Sequence, residues 1–446
     1  MAKPLSPLIP ESVYAKRRRE VLKRINGGVA LFTANPVATL SRDRDYPFHQ
    51  HTDFFYLTGF NEPEAALVLR SDGHGPSSVL FLRDSDPQRE RWEGPRLGLK
   101  KARKAFQVDE VRPFVELPRK FRELVLGHPT LYYSPAGIRA IDELVFASLR
   151  SPVESREPLP FSVTDARAIL NDMRVVKDHH EIELMRRAAA ITGQSLIDIS
   201  PMLPEFETEL DVARSLESLF TQYGADGFAF DTIVASGPNA TSLHHRPGTR
   251  KLRRSEAILI DSGATYGHYC ADITRVLPLN GAFSPAQAVV YEIVHTALTN
   301  VTKRIRPGIT LDELQRKAVK ELSTGLVDAK IVKGPASAVI LAGTYKKYYM
   351  HGIGHWLGLD SHDPSPFVSQ KNGSFLAGRL RPLEAGNVIT IEPGLYFDPK
   401  ETSVAKEFRG IGIRLEDDVL VTSRGYDVLT GRVPSSREDI EAITGY

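Results

Sequence analysis

Two aspartates set inside one apolar hairpin constrain this chain more than any other feature. Ile258–Leu277 reads ILIDSGATYGHYCADITRVL, with apolar strand signals on both sides of a turn that contains Gly267. A hairpin centred on Tyr266–Gly267 places Asp261 directly opposite Asp272. Opposed residues of an antiparallel pair have Cβ atoms about 4.5–5.5 Å apart, so the two carboxylates repel. Burial adds a desolvation cost to each. Ile258 and Ile260 point to a buried strand rather than a solvated acidic face. A bound cation turns the liability into a site. Oxygen donors suit Mg, Ca or Mn, and an added imidazole admits Zn or Co. From the hairpin alone, a metal pair and a solvated face stand as alternatives.

The histidines sharpen this. Three of the chain's 13 lie in Met350–Asp363, MHGIGHWLGLDSHD: His351, His355 and His362. His351 and His355 have the spacing of a helical zinc motif, but Gly352 stands where that motif needs its glutamate. Gly352 and Gly354 also disfavour a helix. A glycine-rich loop presenting histidines is the better expectation. Two further acids sit in apolar runs: Glu392 in Val388–Phe397 (VITIEPGLYF) and Glu416 in Ile411–Val421 (IGIRLEDDVLV). On one continuous strand Arg414 and Glu416 share a face, so a structural Arg414–Glu416 pair is the bland reading of that segment. Asp261, Asp272, His355, Glu392 and Glu416 together make four carboxylates and one imidazole. Their four negative charges match two divalent cations. A two-metal site activates water and polarises a carbonyl, and nearby histidines move protons and stabilise an oxyanion. The residues therefore describe a dinuclear metal hydrolase of amides or esters.

A chain of 446 residues suggests two or three domains. With 41% hydrophobic and 25% charged residues it builds a packed core. The first third reads as mixed α/β. Gly28–Phe32, Ala65–Leu69 and Val79–Leu82 are strand-like, Ser12–Ile25 and Pro118–Leu126 helical. Ser151–Pro160 is a proline-rich connector, and Asp178–Glu181 is a capping box that opens a helix to about Ser200. The boundary falls between about 160 and 176. This gives an N-terminal domain over 1–170 and a second domain over 171–446, where helices and antiparallel strands in blocks indicate α+β.

Lys+Arg is 57 against 55 Asp+Glu, a net charge of +2, which argues against nucleic acid as partner. The basic runs Lys16–Arg19, Lys100–Lys104 and Lys251–Arg254 read as solvated faces. The single cysteine, Cys270, fits a reducing compartment. No apolar stretch approaches the roughly 18 residues of a membrane helix. The N-terminal MAKPLSPLIPESVYAKRRRE lacks the apolar core of a signal peptide and reads as an exposed helix starting near Pro10–Ser12. The expectation is a cytoplasmic protein without a membrane partner.

DSGATYGHYCADITR, MHGIGHWLGLDSHD, TIEPGLYF and GIGIRLEDD resemble the signature segments of the pita-bread metallopeptidases. The likeness is strongest to aminopeptidase P, the Xaa-Pro aminopeptidases, with prolidase a near relative. It extends to Asp45–Leu69, DYPFHQHTDFFYLTGFNEPEAALVL. The resemblance implies a pita-bread catalytic domain behind a smaller creatinase-like domain. It also implies two divalent ions, manganese first with cobalt or zinc as alternatives. Asp261 and Asp272 would hold one ion. Asp272 and Glu416 would bridge to the second, which His355 and Glu392 help bind. A water bridging the ions would attack the carbonyl before proline, with Glu392 accepting its proton. His244 matches a histidine lining the site, His351 and His362 match histidines near the scissile carbonyl and the proline, and Arg414 matches an arginine beside the bridging glutamate. Arg381 corresponds to a substrate-side arginine. Trp92, in RWEGPRLG, corresponds to a tryptophan that reaches a neighbouring subunit's site, so a homodimer or homotetramer is expected. The implied substrates are peptides with proline second.

His245-Arg246-Pro247 and the basic stretch to Arg254 depart from the family pattern, as does a lengthened Pro364–Leu380. Both border the expected mouth and bear on substrate length. A strict Xaa-Pro dipeptidase is the alternative within the fold. Methionine aminopeptidase shares the ligands but not the N-terminal segment, and a creatinase-like amidinohydrolase dispenses with metals. A non-catalytic binding module is the alternative of another class.

Overall fold

A computed structural model describes residues 8–71, 77–135, 137–150, 158–364, 368–371 and 374–445. Most of the connector Ser151–Pro160 lies outside the described residues, as does part of Pro364–Leu380. The chain divides into two units, Met1–Met173 and Arg174–Tyr446.

The first unit is built on a six-stranded mixed sheet. Its spatial order is Glu110–Pro113, Ser78–Leu82, Ala66–Arg70, Val29–Thr33, Thr130–Tyr133, Ser162–Thr164. The central strands pair antiparallel and the outer ones parallel. Val29–Thr33 and Ser78–Leu82 are buried along their whole length, as uninterrupted apolar runs should be. Helices Leu117–Val125 and Arg139–Arg150 bring Phe121 and Val145 onto this core.

Helix Glu11–Arg24 corrects one expectation. Only half of its basic run is a solvated face: Lys16 and Arg19 are exposed, whereas Arg17 and Arg18 are buried. Arg18 donates to the carbonyls of Leu57 and Gln107 and to Glu11 Oε1, at 2.8, 3.0 and 2.6 Å. The Arg17 guanidinium lies 4.1 Å from the centre of the Tyr56 ring. Lys100, Lys101 and Lys104, on helix Gly98–Ala105, are exposed as expected.

The second unit is α+β. Its long helices begin where short polar side chains cap them. Asp178 with Glu181, Thr208 with Asp211, Ser284 with Gln287 and Thr310 with Glu313 each form a reciprocal capping box. These boxes satisfy backbone N–H groups that the first helical turn leaves open. The helices are His179–Ile199, Glu209–Gln222, Pro285–Thr302 and Leu311–Asp328. They pack on two antiparallel sheets: Ile233–Ser236, Ala257–Ser262, Ile273–Pro278, and Val388–Ile391, Asp417–Thr422, Gly425–Val428. One continuous core runs through both layers, with Leu216, Val234, Ile260, Val294, Leu322, Ile391 and Val419 fully buried. Ile411–Val421 is not one strand. It breaks into Gly412–Arg414 and Asp417–Thr422, which join different sheets, and Glu416 lies at the break.

Candidate metal centre

The acidic hairpin turns one residue later than its sequence suggests. Tyr266 pairs with Tyr269, so the turn is Gly267–His268, and both residues have positive φ, 59° and 68°. Such turns match the right-handed twist of the flanking strands. Asp261 therefore faces Thr274 rather than Asp272. Asp272, two residues earlier, takes a diagonal position, and the direct opposition of carboxylates is avoided. Gly263 lets the strands pass closely here, since a Cβ on it would fall 1.8 Å from the Ala271 carbonyl oxygen.

The loop carrying the histidines is irregular, as its glycines require, and lies along strand Val388–Ile391. Thr390 N–H donates to the His355 carbonyl (2.9 Å), and Glu392 N–H to that of Ile353 (2.8 Å). A Cβ on Gly354 would stand 1.9 Å from the Thr390 carbonyl oxygen. This approach aims His355 at the carboxylates. Its Nδ1 donates to the Trp356 carbonyl at 3.0 Å, which leaves the Nε2 lone pair bare. Nε2 lies 3.7 Å from Asp272 Oδ2 and 3.9 Å from Glu392 Oε1. Glu416 is fixed by Thr274: its N–H donates to the Thr274 carbonyl at 3.1 Å, and its Oε2 accepts from Thr274 Oγ1 at 2.7 Å.

Arg414 does not pair with Glu416. Its Nη2 donates to Asp261 Oδ2 at 2.5 Å, its Nη1 to the Tyr396 hydroxyl at 3.0 Å, and its Nε to Thr274 Oγ1 at 3.3 Å. Tyr396 in turn meets His351 Nε2 at 2.9 Å, and His351 Nδ1 meets the Gly352 carbonyl at 2.8 Å. The donors order themselves in one direction: Arg414 to Tyr396, Tyr396 to His351, His351 to the Gly352 carbonyl. His362 stacks on His355 with ring centres 3.8 Å apart.

These groups surround a cavity of about 580 Å³, whose wall includes Asp261, Asp272, His351, His355, His362, Glu392, Arg414 and Glu416, with His244 beside them. Burial and mutual repulsion push the carboxyls of Asp272 and Glu416 well above the ordinary range. Burial pushes Glu392 up to about 8. Burial also depresses His351 and His355 to about 4, His355 further through His362, so both are neutral near pH 7. The acids thus form a cluster in which, among the described residues, Asp261 alone has a cationic partner, Arg414. Two of their oxygens, Asp261 Oδ1 and Asp272 Oδ1, are buried without a hydrogen-bond partner. One ligand atom each from Asp272, His355 and Glu416 lies within 4.8 Å of the others. Bare buried oxygens, a bare imidazole nitrogen and excess negative charge are what hard divalent cations require.

The model of metallopeptidase family M24 matches residues 183–423, and that of the aminopeptidase P N-terminal domain matches residues 14–132. The chain belongs to metallopeptidase family M24. It is 36% identical to the Xaa-Pro aminopeptidase of Escherichia coli over 98% of each chain. Its fold matches the aminopeptidase PepP of Pseudomonas aeruginosa with a TM-score of 0.92, at 35% identity over 98% of each chain. It matches proline aminopeptidase P II from Yersinia pestis with a TM-score of 0.91, at 37% identity over 98% and 99%. The M24 chain thus combines an aminopeptidase P N-terminal domain with a pita-bread C-terminal domain, as the signature segments imply.

Two expected residues stand outside this M24 cavity. Arg381 is not in its wall and donates to Glu384 Oε1 at 2.8 Å. Trp92, on helix Glu90–Glu93 of the first unit, is 91% exposed. Sequence reasoning missed Tyr396, Thr274 and Asp418, whose Oδ2 accepts the Asp272 N–H at 3.1 Å. Tyr396 and Asp418 lie inside the quoted TIEPGLYF and GIGIRLEDD segments, but nothing local distinguishes them from core residues.

Proposed function

We propose that this M24 enzyme is a metal-dependent exopeptidase that removes the N-terminal residue from peptides with proline second. The observation that carries the reading is the set of four carboxylates and one imidazole on one cavity wall, with buried carboxylate oxygens left bare. Asp261, Asp272, His355, Glu392 and Glu416 would hold two divalent ions, with manganese favoured by the oxygen-rich set and cobalt or zinc also accommodated. When bound, such ions lower the pKa of water and polarise a carbonyl.

The chain's own residues do the rest. Glu392 takes the proton of the attacking water, and the His351 ring lies beside it, its Nδ1 3.6 Å from Glu392 Oε2. His362 and His244 line the same wall and donate to the developing oxyanion. Arg414 orients Asp261 and, through Tyr396, fixes the tautomer of His351. Exposed Trp92 supplies a contact for a second copy, in keeping with an oligomer. A lone buried thiol, Cys270, suits a cytoplasmic setting.

The test compares kcat/KM for Ala-Pro and Ala-Pro-Ala in the manganese-loaded enzyme. Efficient tripeptide cleavage is expected. Cleavage of the dipeptide alone would make the protein a prolidase. Less than about one equivalent of metal after manganese loading, with no hydrolysis, would favour a non-catalytic binding module.

A further inference from the structure

Among the described residues the cavity wall holds two guanidinium groups, and they are in opposite states. Arg414 is buried and committed to Asp261, Tyr396, Thr274 and the Leu243 carbonyl. Arg246 is exposed, and neither a hydrogen bond nor an ion pair joins it to any described residue, Asp231 of the same wall included. Among the described residues, it is the one permanently charged cation of the wall that is free to meet a substrate.

The position of Arg246 is nonetheless fixed, because its neighbours on both sides are tied to one carboxylate. Glu209, fully buried at the start of helix Glu209–Gln222, accepts from His245 Nε2 at 2.8 Å and from the Gly248 N–H at 3.5 Å through Oε2. Its Oε1 accepts from the Ser236 N–H, the Ser236 hydroxyl and Asn239 Nδ2, at 2.7, 2.8 and 2.9 Å. The backbone repeats the tie: Leu210 N–H donates to the Gly248 carbonyl at 3.1 Å, and His245 N–H to that of Ser242 at 3.2 Å. A buried carboxylate with this many donors is stable only as an anion in a rigid setting. The segment His245–Gly248 is therefore anchored on both sides of Arg246, while the Arg246 side chain itself is left unbound. A free guanidinium on a fixed backbone suits planar, bidentate recognition of a carboxylate.

We propose that Arg246 reads the C-terminal carboxylate of short Xaa-Pro-Yaa peptides and thereby sets substrate length. The inference rests on the proposed function and deepens it. Arg246 makes the enzyme favour tripeptides with a free carboxylate over the same peptides carrying a C-terminal amide. Glu209 acts as a positioning residue through His245.

The experiment compares kcat/KM for Ala-Pro-Ala and Ala-Pro-Ala-amide in the manganese-loaded full chain, wild type and Arg246→Gln, at low and high salt. Inhibition by Pro-Ala and Pro-Ala-amide gives a reading independent of turnover. The expected wild-type preference for the free acid is about three- to tenfold, the scale of an exposed ion pair. It should reside mainly in KM, shrink with added salt, and collapse in Arg246→Gln. Equal use of acid and amide by the wild type, a preference that survives Arg246→Gln, or one insensitive to salt would overturn the assignment while leaving the proposed function standing. No cleavage of either peptide would overturn both.

Discussion

At the residue scale, the cavity stores electrostatic strain. Asp272 and Glu416 are buried beside other acids, and their carboxyls are pushed up by burial first and by neighbouring charge second. Removing one partner of a well-matched ion pair destabilises a fold, but removing one member of a repelling cluster relieves it. Glu416→Gln keeps an acceptor for Thr274 and removes a buried ionisable group. The expected outcome is a chelator-treated variant that melts higher than chelator-treated wild type, by roughly 2–4 °C for each kcal/mol of repulsion relieved. The stabilisation by manganese and the activity should both be lost. A variant that still gains its full stabilisation from manganese would refute the role of Glu416. The pH dependence follows from Glu392, raised from 4.5 to about 8. Between these values the folded, metal-free protein holds a proton that the unfolded chain has released, so its stability falls as pH rises through that window. A cation must displace the same proton, so manganese should bind more tightly as pH rises toward 8. Calorimetric titration across pH 5–8 checks both signs, and a flat affinity would contradict them.

At the element scale, close backbone approach matters more than any single side chain. The histidine loop brings His355 to the carboxylates through the close approach of Gly354 to Thr390, which leaves no room for a Cβ. Gly354→Ala should push the loop off strand Val388–Ile391, lower metal content severalfold and cost stability, while the distant capping boxes keep the helical circular dichroism near wild type. Metal analysis of the folded variant decides it, and full occupancy would show the loop to be more tolerant than the contact implies. One of the four caps was read from the sequence. Asp178 with Glu181 reads as a helix start and proves to be one, because its partners lie within one turn. The break at Arg414–Glu416 was not legible, because a short segment of mixed apolar and charged residues, with no glycine or proline at the break, carries no signal for a strand that changes sheets.

At the scale of the whole molecule, the four segments that carry the candidate metal-binding residues, distant in sequence, converge on one cavity of the second unit. Manganese should therefore slow amide hydrogen exchange together in 258–278, 350–363, 388–396 and 411–418, and leave the strands Val29–Thr33 and Ser78–Leu82 of the first unit unchanged. Protection confined to one of the four segments would argue against a shared centre. What the sequence by itself determined is the chemistry and the class: acids inside apolar runs, histidines in a glycine-rich loop, helix starts and an α+β order. These follow from burial and local hydrogen bonding, which act over a few residues. Only the tertiary structure decided the partners. It placed Asp261 beside Arg414, 153 residues away, set the hairpin register through a positive-φ turn at Gly267–His268, buried Arg17 and Arg18 of the run Lys16–Arg19, and left Arg246 free on a clamped loop. A charged side chain carries no local mark of which distant group will satisfy it, because that choice is made when packing brings the segments together.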